Sequence, residues 1–177
     1  MSSSRGRLFI VLTLLLCSVF PSRVHAGSGI GVEGGAALPL VHGNGGVPIM
    51  LGVTFKSDKL PLIMEGRLQL NGSQVSGGGA TADIWLNDIQ IGCSIFNFYY
   101  GPGATVLYNN SVKTDDFEQS TGLFVAPRVF AGINTMLTSF TEMYMQVALE
   151  PGIVFDESEG FIFRINQPIS IGIRFWF

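Results

Sequence analysis

The chain ends on a run, Phe161 to Phe177, in which apolar side chains fall at alternate positions for seventeen residues. The odd positions read Phe161, Phe163, Ile165, Gln167, Ile169, Ile171, Ile173, Phe175 and Phe177. The even positions read Ile162, Arg164, Asn166, Pro168, Ser170, Gly172, Arg174 and Trp176. A period of two belongs to a β-strand with one apolar face and one more polar face. Strands of soluble sheets run to about six residues, whereas a strand crossing a bilayer obliquely needs about ten. The run therefore points to a membrane before it points to any chemistry.

The other end reads as a cleaved secretory signal peptide. Arg5 and Arg7 make a basic start, Leu8 to Phe20 an apolar core, and Val24-His25-Ala26 a small-residue cleavage site. The core is too short for a membrane helix, which needs about twenty apolar residues. Cys17 follows Leu14-Leu15-Leu16 as in a lipoprotein box, but the preceding residue is Leu rather than a small one, and the later site fits better. The organisation is thus a signal over residues 1–26 and one domain over 27–177.

Charge and cysteine content narrow the function. Losing Arg5, Arg7 and Arg23 takes ten basic residues to seven against thirteen acidic ones, so the net charge moves from −3 to −6. No basic patch remains to neutralise phosphates, which argues against nucleic acid as a partner. Cys93 alone survives processing, so neither an internal disulfide nor a thiolate metal site is expected. After Phe20 no apolar run is long enough for a membrane helix. Any span must be β, and in lipid that means a closed barrel.

The alternation recurs along the chain. It is clear in Phe140–Phe155, Thr121–Thr135 and Ile95–Tyr108, and less tidy in Ile30–Leu38, Ile49–Lys56, Leu62–Leu70 and Ala80–Asn87. With the last run these make eight strands. The expected fold is all-β, an eight-stranded antiparallel transmembrane β-barrel, an even count of the kind outer-membrane barrels require. Residues 39–48, 71–79, 109–120 and 156–160 read as polar loops, while Asp58-Lys59 and Thr138-Ser139 read as tight turns. Residues Asp88 to Ser94 form an irregular connection. Long loops opposite short turns are the outer-membrane pattern. With the N-terminus in the periplasm, the polar loops fall on the cell surface.

Period alone does not say which face points outward, since a soluble lipocalin-like barrel would bury the apolar one. The polar face, however, carries Gly52, Gly101, Gly103, Gly132, Gly152 and Gly172 where a solvated surface would carry Lys and Glu. Only 13% of the chain is charged, against about 25% in soluble domains. Outward aromatics gather at the strand ends: Phe55, Phe96, Phe98, Phe175 and Phe177 at one, Tyr108, Phe155, Phe161 and Phe163 at the other. Such girdles mark membrane barrels.

The inward face then holds Lys56, Arg67, Arg128, Arg164 and Arg174 against Glu33, Glu65, Asp83, Glu142 and Glu150. Five cations cancel five anions. Buried ions persist only when paired and hydrogen-bonded, and a barrel of about eight strands has room only for packed side chains. A filled lumen with structural ion pairs is expected ahead of a polar conduit. Pro102, Pro127, Pro151 and Pro168 fall within the last four strands, and each removes a ladder donor. They indicate bulges that shape the wall, or a weakened seam through which an apolar molecule leaves sideways.

Ser170-x-Gly172-x-x-Phe175-x-Phe177 resembles the C-terminal assembly signal of bacterial outer-membrane barrels. That resemblance implies the barrel-assembly machinery as a partner and the bacterial outer membrane, with its lipids, as the location. The region after the signal resembles the small OmpX/OmpW/OmpA-type eight-stranded class. Ala82-Asp83-Ile84-Trp85, Phe98-Tyr99-Tyr100-Gly101-Pro102-Gly103 and Glu150-Pro151-Gly152-Ile153 are similar to segments of uncharacterised bacterial outer-membrane barrels.

Catalysis is not expected. Hydrolytic sites place a histidine beside a nucleophile or carboxylate. The only histidine after the signal is His42, in a glycine-rich loop with no identifiable nucleophile. No metal spacing, phosphate loop or nucleotide motif appears, and no cofactor is expected. The acidic loop residues Asp115, Asp116, Glu118, Asp156, Glu157 and Glu159 match no calcium loop. Two readings remain: a structural or surface-interaction barrel presenting loops to a ligand, or a narrow channel for small apolar solutes with lateral release, as an OmpW-like resemblance implies.

Overall fold

The computed structural model describes residues 27–41, 47–57, 59–92, 95–110, 112–114, 117–119, 121–156 and 160–177. The expected signal segment 1–26 lies outside them, as do His42, Asp115, Asp116, Glu157 and Glu159. The described strands are β1 (Gly29–Val41), β2 (Ile49–Lys56), β3 (Leu62–Asn71), β4 (Gln74–Ile84), β5 (Asn87–Gln90), β6 (Asn97–Asn109), β7 (Val112–Thr114), β8 (Phe117–Gln119), β9 (Gly122–Met136), β10 (Thr141–Asp156) and β11 (Gly160–Trp176).

Each wall strand pairs antiparallel with its sequence neighbour, and β1 also pairs with β11 from Gly29↔Trp176 to Val41↔Ile165. That last pairing closes the sheet on itself and leaves no free edge. Strands β4 and β5 lie on the same side of β6, with Asp83 opposite Gly103 and Asn87 opposite Tyr100. Four steps on one side meet three on the other, so β4 and β5 are one wall strand interrupted by a bulge at Trp85-Leu86. The wall therefore has eight strands, while β7 and β8 form a separate small hairpin in the β6–β9 connection. This is the closed all-β barrel expected from the alternation.

The segment 71–79 departs from its reading as a loop. Asn71 pairs with Gln74 across a two-residue turn in which Gly72 has φ 60°, and the strand begins at Gln74. Glycine adopts that backbone region without steric cost. The glycines at 77–79 looked like loop composition but lie in the wall. A Cβ on Gly77 would come within 2.8 Å of the Tyr108 carbonyl oxygen on the neighbouring strand. The Asp88 to Ser94 irregularity is likewise shorter than expected, because β5 carries the pairing to Gln90. With only 72–73 between β3 and β4, this connection is a tight turn rather than a loop.

The faces are inverted relative to a water-soluble protein. Outward side chains are apolar and open: Val129 is 65% exposed, Ile171 57% and Phe161 77%. Inward side chains include Glu65, Arg67, Arg128, Glu142, Glu150 and Arg174, all buried. The outward rings sort by level as expected. Tyr108, Leu123, Phe155 and Phe161 occupy one cross-strand row at the loop end, with Phe155 and Phe161 edge-to-face at 5.3 Å. Phe55, Ile30 and Phe175 share a row at the end holding the chain termini. Fourteen residue steps along β11 lead from Phe161 to Phe175. At about 3.3 Å per residue and a tilt of about 45° they span roughly 33 Å, enough for a hydrocarbon core of about 30 Å.

Candidate functional site in the barrel lumen

The lumen is filled in three levels, each built from the inward positions of the alternation. At the terminal end, Glu142 on β10 accepts hydrogen bonds from Asn134 Nδ2 at 2.7 Å, Arg174 Nη1 at 2.9 Å and Trp176 Nε1 at 3.0 Å. Beside it, Lys56 Nζ lies 3.2 Å from the centroid of the Trp85 ring, and Trp85 stacks on Tyr99 at 4.0 Å. An ammonium over an indole face is held by the ring quadrupole. Among the described residues Lys56 thus finds an aromatic partner instead of the carboxylate expected for it.

At mid-barrel the charges interlock. Arg67 donates to both Glu65 oxygens, at 2.7 Å from Nε and 2.9 Å from Nη2, and from Nη1 to Glu150 at 3.3 Å. Arg128 donates to Glu150 from Nη1 at 2.6 Å and to the Asp83 carboxylate from Nε at 3.1 Å. Thr81 and Thr105 donate hydroxyl protons to Glu65 and Glu150. Tyr144 donates to Glu33 at 2.9 Å and lies 3.3 Å from the Thr54 hydroxyl. Arg174 packs 4.5 Å over the Tyr144 ring and so links this level to the one below. Two-pronged Arg–carboxylate pairing fixes direction as well as charge, so the arrangement holds the wall strands in one register.

The third level, toward the loop end, holds an apolar cluster of Leu107, Phe124, Ala126 and Val154, with Ile162 packed against them, beside the buried polar Asn109, Asp156 and Asn166. Inward glycines make room for the larger side chains. Gly132 faces Tyr99 and Gly172 faces Tyr144 in the ladder, and a Cβ at either glycine would sit 2.5 Å from that tyrosine ring. The sequence reading placed these glycines inward but did not identify Trp85, Tyr99, Phe130, Tyr144 and Trp176 as lumen-filling partners. The available signal was a large residue on the inward phase opposite a glycine on the adjacent strand.

Of the ten expected lumen charges, the structure joins Glu65, Arg67, Asp83, Arg128, Glu142, Glu150 and Arg174 in ion pairs. Glu33 is held by a tyrosine hydroxyl and Lys56 by aromatic rings. Arg164 stands apart from these. It sits opposite Gly152, beyond the mid-barrel cluster toward the loop end, half-buried and with no ion pair among the described residues. Of the assembly-signal residues, Ser170 and Gly172 face inward, while Phe175 and Phe177 face out, 50% and 73% exposed.

A closed eight-stranded antiparallel wall, apolar outside and charged within, has the build of the small outer-membrane barrels. Comparison with known proteins agrees. Neisserial surface protein A (NspA) aligns over 85% of this chain and 96% of its own, with a TM-score of 0.53 and 15% identity. The N-terminal β-barrel domain of Pseudomonas aeruginosa OprF aligns over 84% and 97%, with a TM-score of 0.50 and 10% identity. The likeness at these identities is one of fold. No protein-family model and no curated protein matches the chain.

Proposed function

We propose that this chain is an integral protein of the bacterial outer membrane, a non-enzymatic barrel with a side-chain-filled lumen that acts as a structural or surface-interaction element. Its surroundings are outer-membrane lipids, and its C-terminal strand, through Ser170, Gly172, Phe175 and Phe177, is the part offered to the barrel-assembly machinery. The observation that carries the filled-lumen reading is the Glu65–Arg67–Glu150–Arg128–Asp83 chain across mid-barrel, capped by the apolar Phe124 cluster. A wall tied by ion pairs and plugged by rings suits a stable scaffold that presents its loops to a partner at the surface.

Single-channel recording on refolded protein tests this directly. The native barrel is expected to be silent. Arg128→Leu is expected to lose about 3–5 kcal/mol, because it leaves Asp83 buried without its ion-pair partner, without gaining conductance. A steady ion current from the native barrel would overturn the filled-lumen reading.

One observation favours the second reading, a narrow path for small apolar molecules with lateral release. Pro127 and Pro151 face one another across the β9–β10 seam, where the ladder is interrupted. Release of a preloaded apolar fluorophore into protein-bearing vesicles, compared with protein-free ones, distinguishes the two.

A further inference from the structure

Two breaks in backbone pairing fall on the same short piece of β10. Pairing with β9 runs from Glu142↔Met136 to Leu149↔Val129 and resumes at Ile153↔Val125 in unchanged register. The skipped positions therefore set Glu150 opposite Arg128, Pro151 opposite Pro127 and Gly152 opposite Ala126. In an antiparallel ladder alternate facing pairs exchange two hydrogen bonds. With proline on both sides neither bond forms, and the two flanking pairs that share those bonds drop out as well. A three-position gap is the result.

On its other side β10 leaves β11 after Val147↔Ile169 and rejoins it at Glu150↔Asn166, with Pro168 standing opposite Ala148. Residues 148–152 thus lack regular pairing first on one side and then on the other. The gap lies between the two aromatic rows, at a depth where water does not replace missing bonds.

What spans the gap lies inside the lumen. Glu150 projects from the middle of this segment, and its side chain is 1% exposed. It accepts from Arg128 on β9 at 2.6 Å, from Thr105 on β6 at 3.0 Å and from Arg67 on β3 at 3.3 Å. One carboxylate therefore ties the weakest stretch of wall to its neighbour and to the far side of the barrel.

We propose that the β9–β10 wall parts at Pro127 and Pro151, and that Glu150 is the latch that holds it shut. The proposal deepens the lateral-release reading by naming where the wall opens and what closes it. Residue-resolved amide exchange in lipid nanodiscs tests the latch independently of transport, so a seam that opens without moving solute would sink only the release reading.

The amides of Val125, Val129, Leu149 and Ile153 border the gap, and Ile133 and Met145 form a regular rung of the same seam. The bordering amides are expected to exchange on the order of tenfold faster than the regular rung, the effect of about one lost hydrogen bond. Glu150→Gln is expected to add about tenfold more at the border while leaving Val32 and Leu51 unchanged. Pro127→Ala with Pro151→Ala restores two donors and is expected to slow the border to the level of the regular rung. Border amides as slow as Ile133 and Met145, or a Glu150→Gln effect spread evenly over all strands, would overturn the latch. Should Glu150→Gln fail to fold, unchanged exchange in the proline variant would overturn it alone.

Discussion

Val129→Arg is expected to destabilise the barrel in a bilayer by about 2–4 kcal/mol, the cost of a cation on the lipid face near the midplane. Val129 is 65% exposed on the outward side of β9 and lies between the two aromatic rows. In water the same substitution at so open a position would be nearly neutral, within about 0.5 kcal/mol. Arginine placed nearer an interface, at Leu123 beside Phe155, is expected to cost about 0–1 kcal/mol. Urea unfolding in lipid vesicles reads the difference between the two sites. Equal and small effects would mean that the outward face is not in hydrocarbon.

Glu142→Ala is expected to cost about 3–5 kcal/mol, because removing one partner of a buried ion pair leaves the other charged and uncompensated. Glu142 accepts from Arg174, Asn134 and Trp176, and its ion pair is the only one Arg174 makes among the described residues. Glu142→Gln keeps an acceptor in the same place and is expected to lose less. The same unfolding measurement ranks them, with Ala below Gln below native. A nearly neutral Glu142→Ala would show that this end of the lumen is wet enough to solvate Arg174.

The wall was legible because its rule is local. In β9, β10 and β11 every second residue faces lipid, and lipid accepts little but apolar side chains, so period and length together indicated a barrel. The start of β4 was not legible. Residues 77–79 are all glycine, which reads as loop, yet Gly77 lies in the wall under a close approach to the Tyr108 backbone that no period reveals. Lumen membership followed from phase alone, and all ten charges lie on inward positions of the alternation. Partner choice did not follow, because it depends on which strands close across the barrel. Glu150 meets Arg67 and Arg128 from two different strands, and Lys56 meets Trp85 through a bulge the sequence did not announce. The proline gap has the same character. Each proline was visible singly, but the opposition of Pro127 to Pro151 exists only once register is known.

An outer wall this apolar needs acyl chains, not water, against it. Sedimentation velocity and far-ultraviolet circular dichroism on residues 27–177, in detergent-free buffer and in lipid vesicles, test it most directly. β-structure that forms only with lipid or detergent, and aggregates without it, is the expected result. A folded, monodisperse species in plain buffer would contradict it.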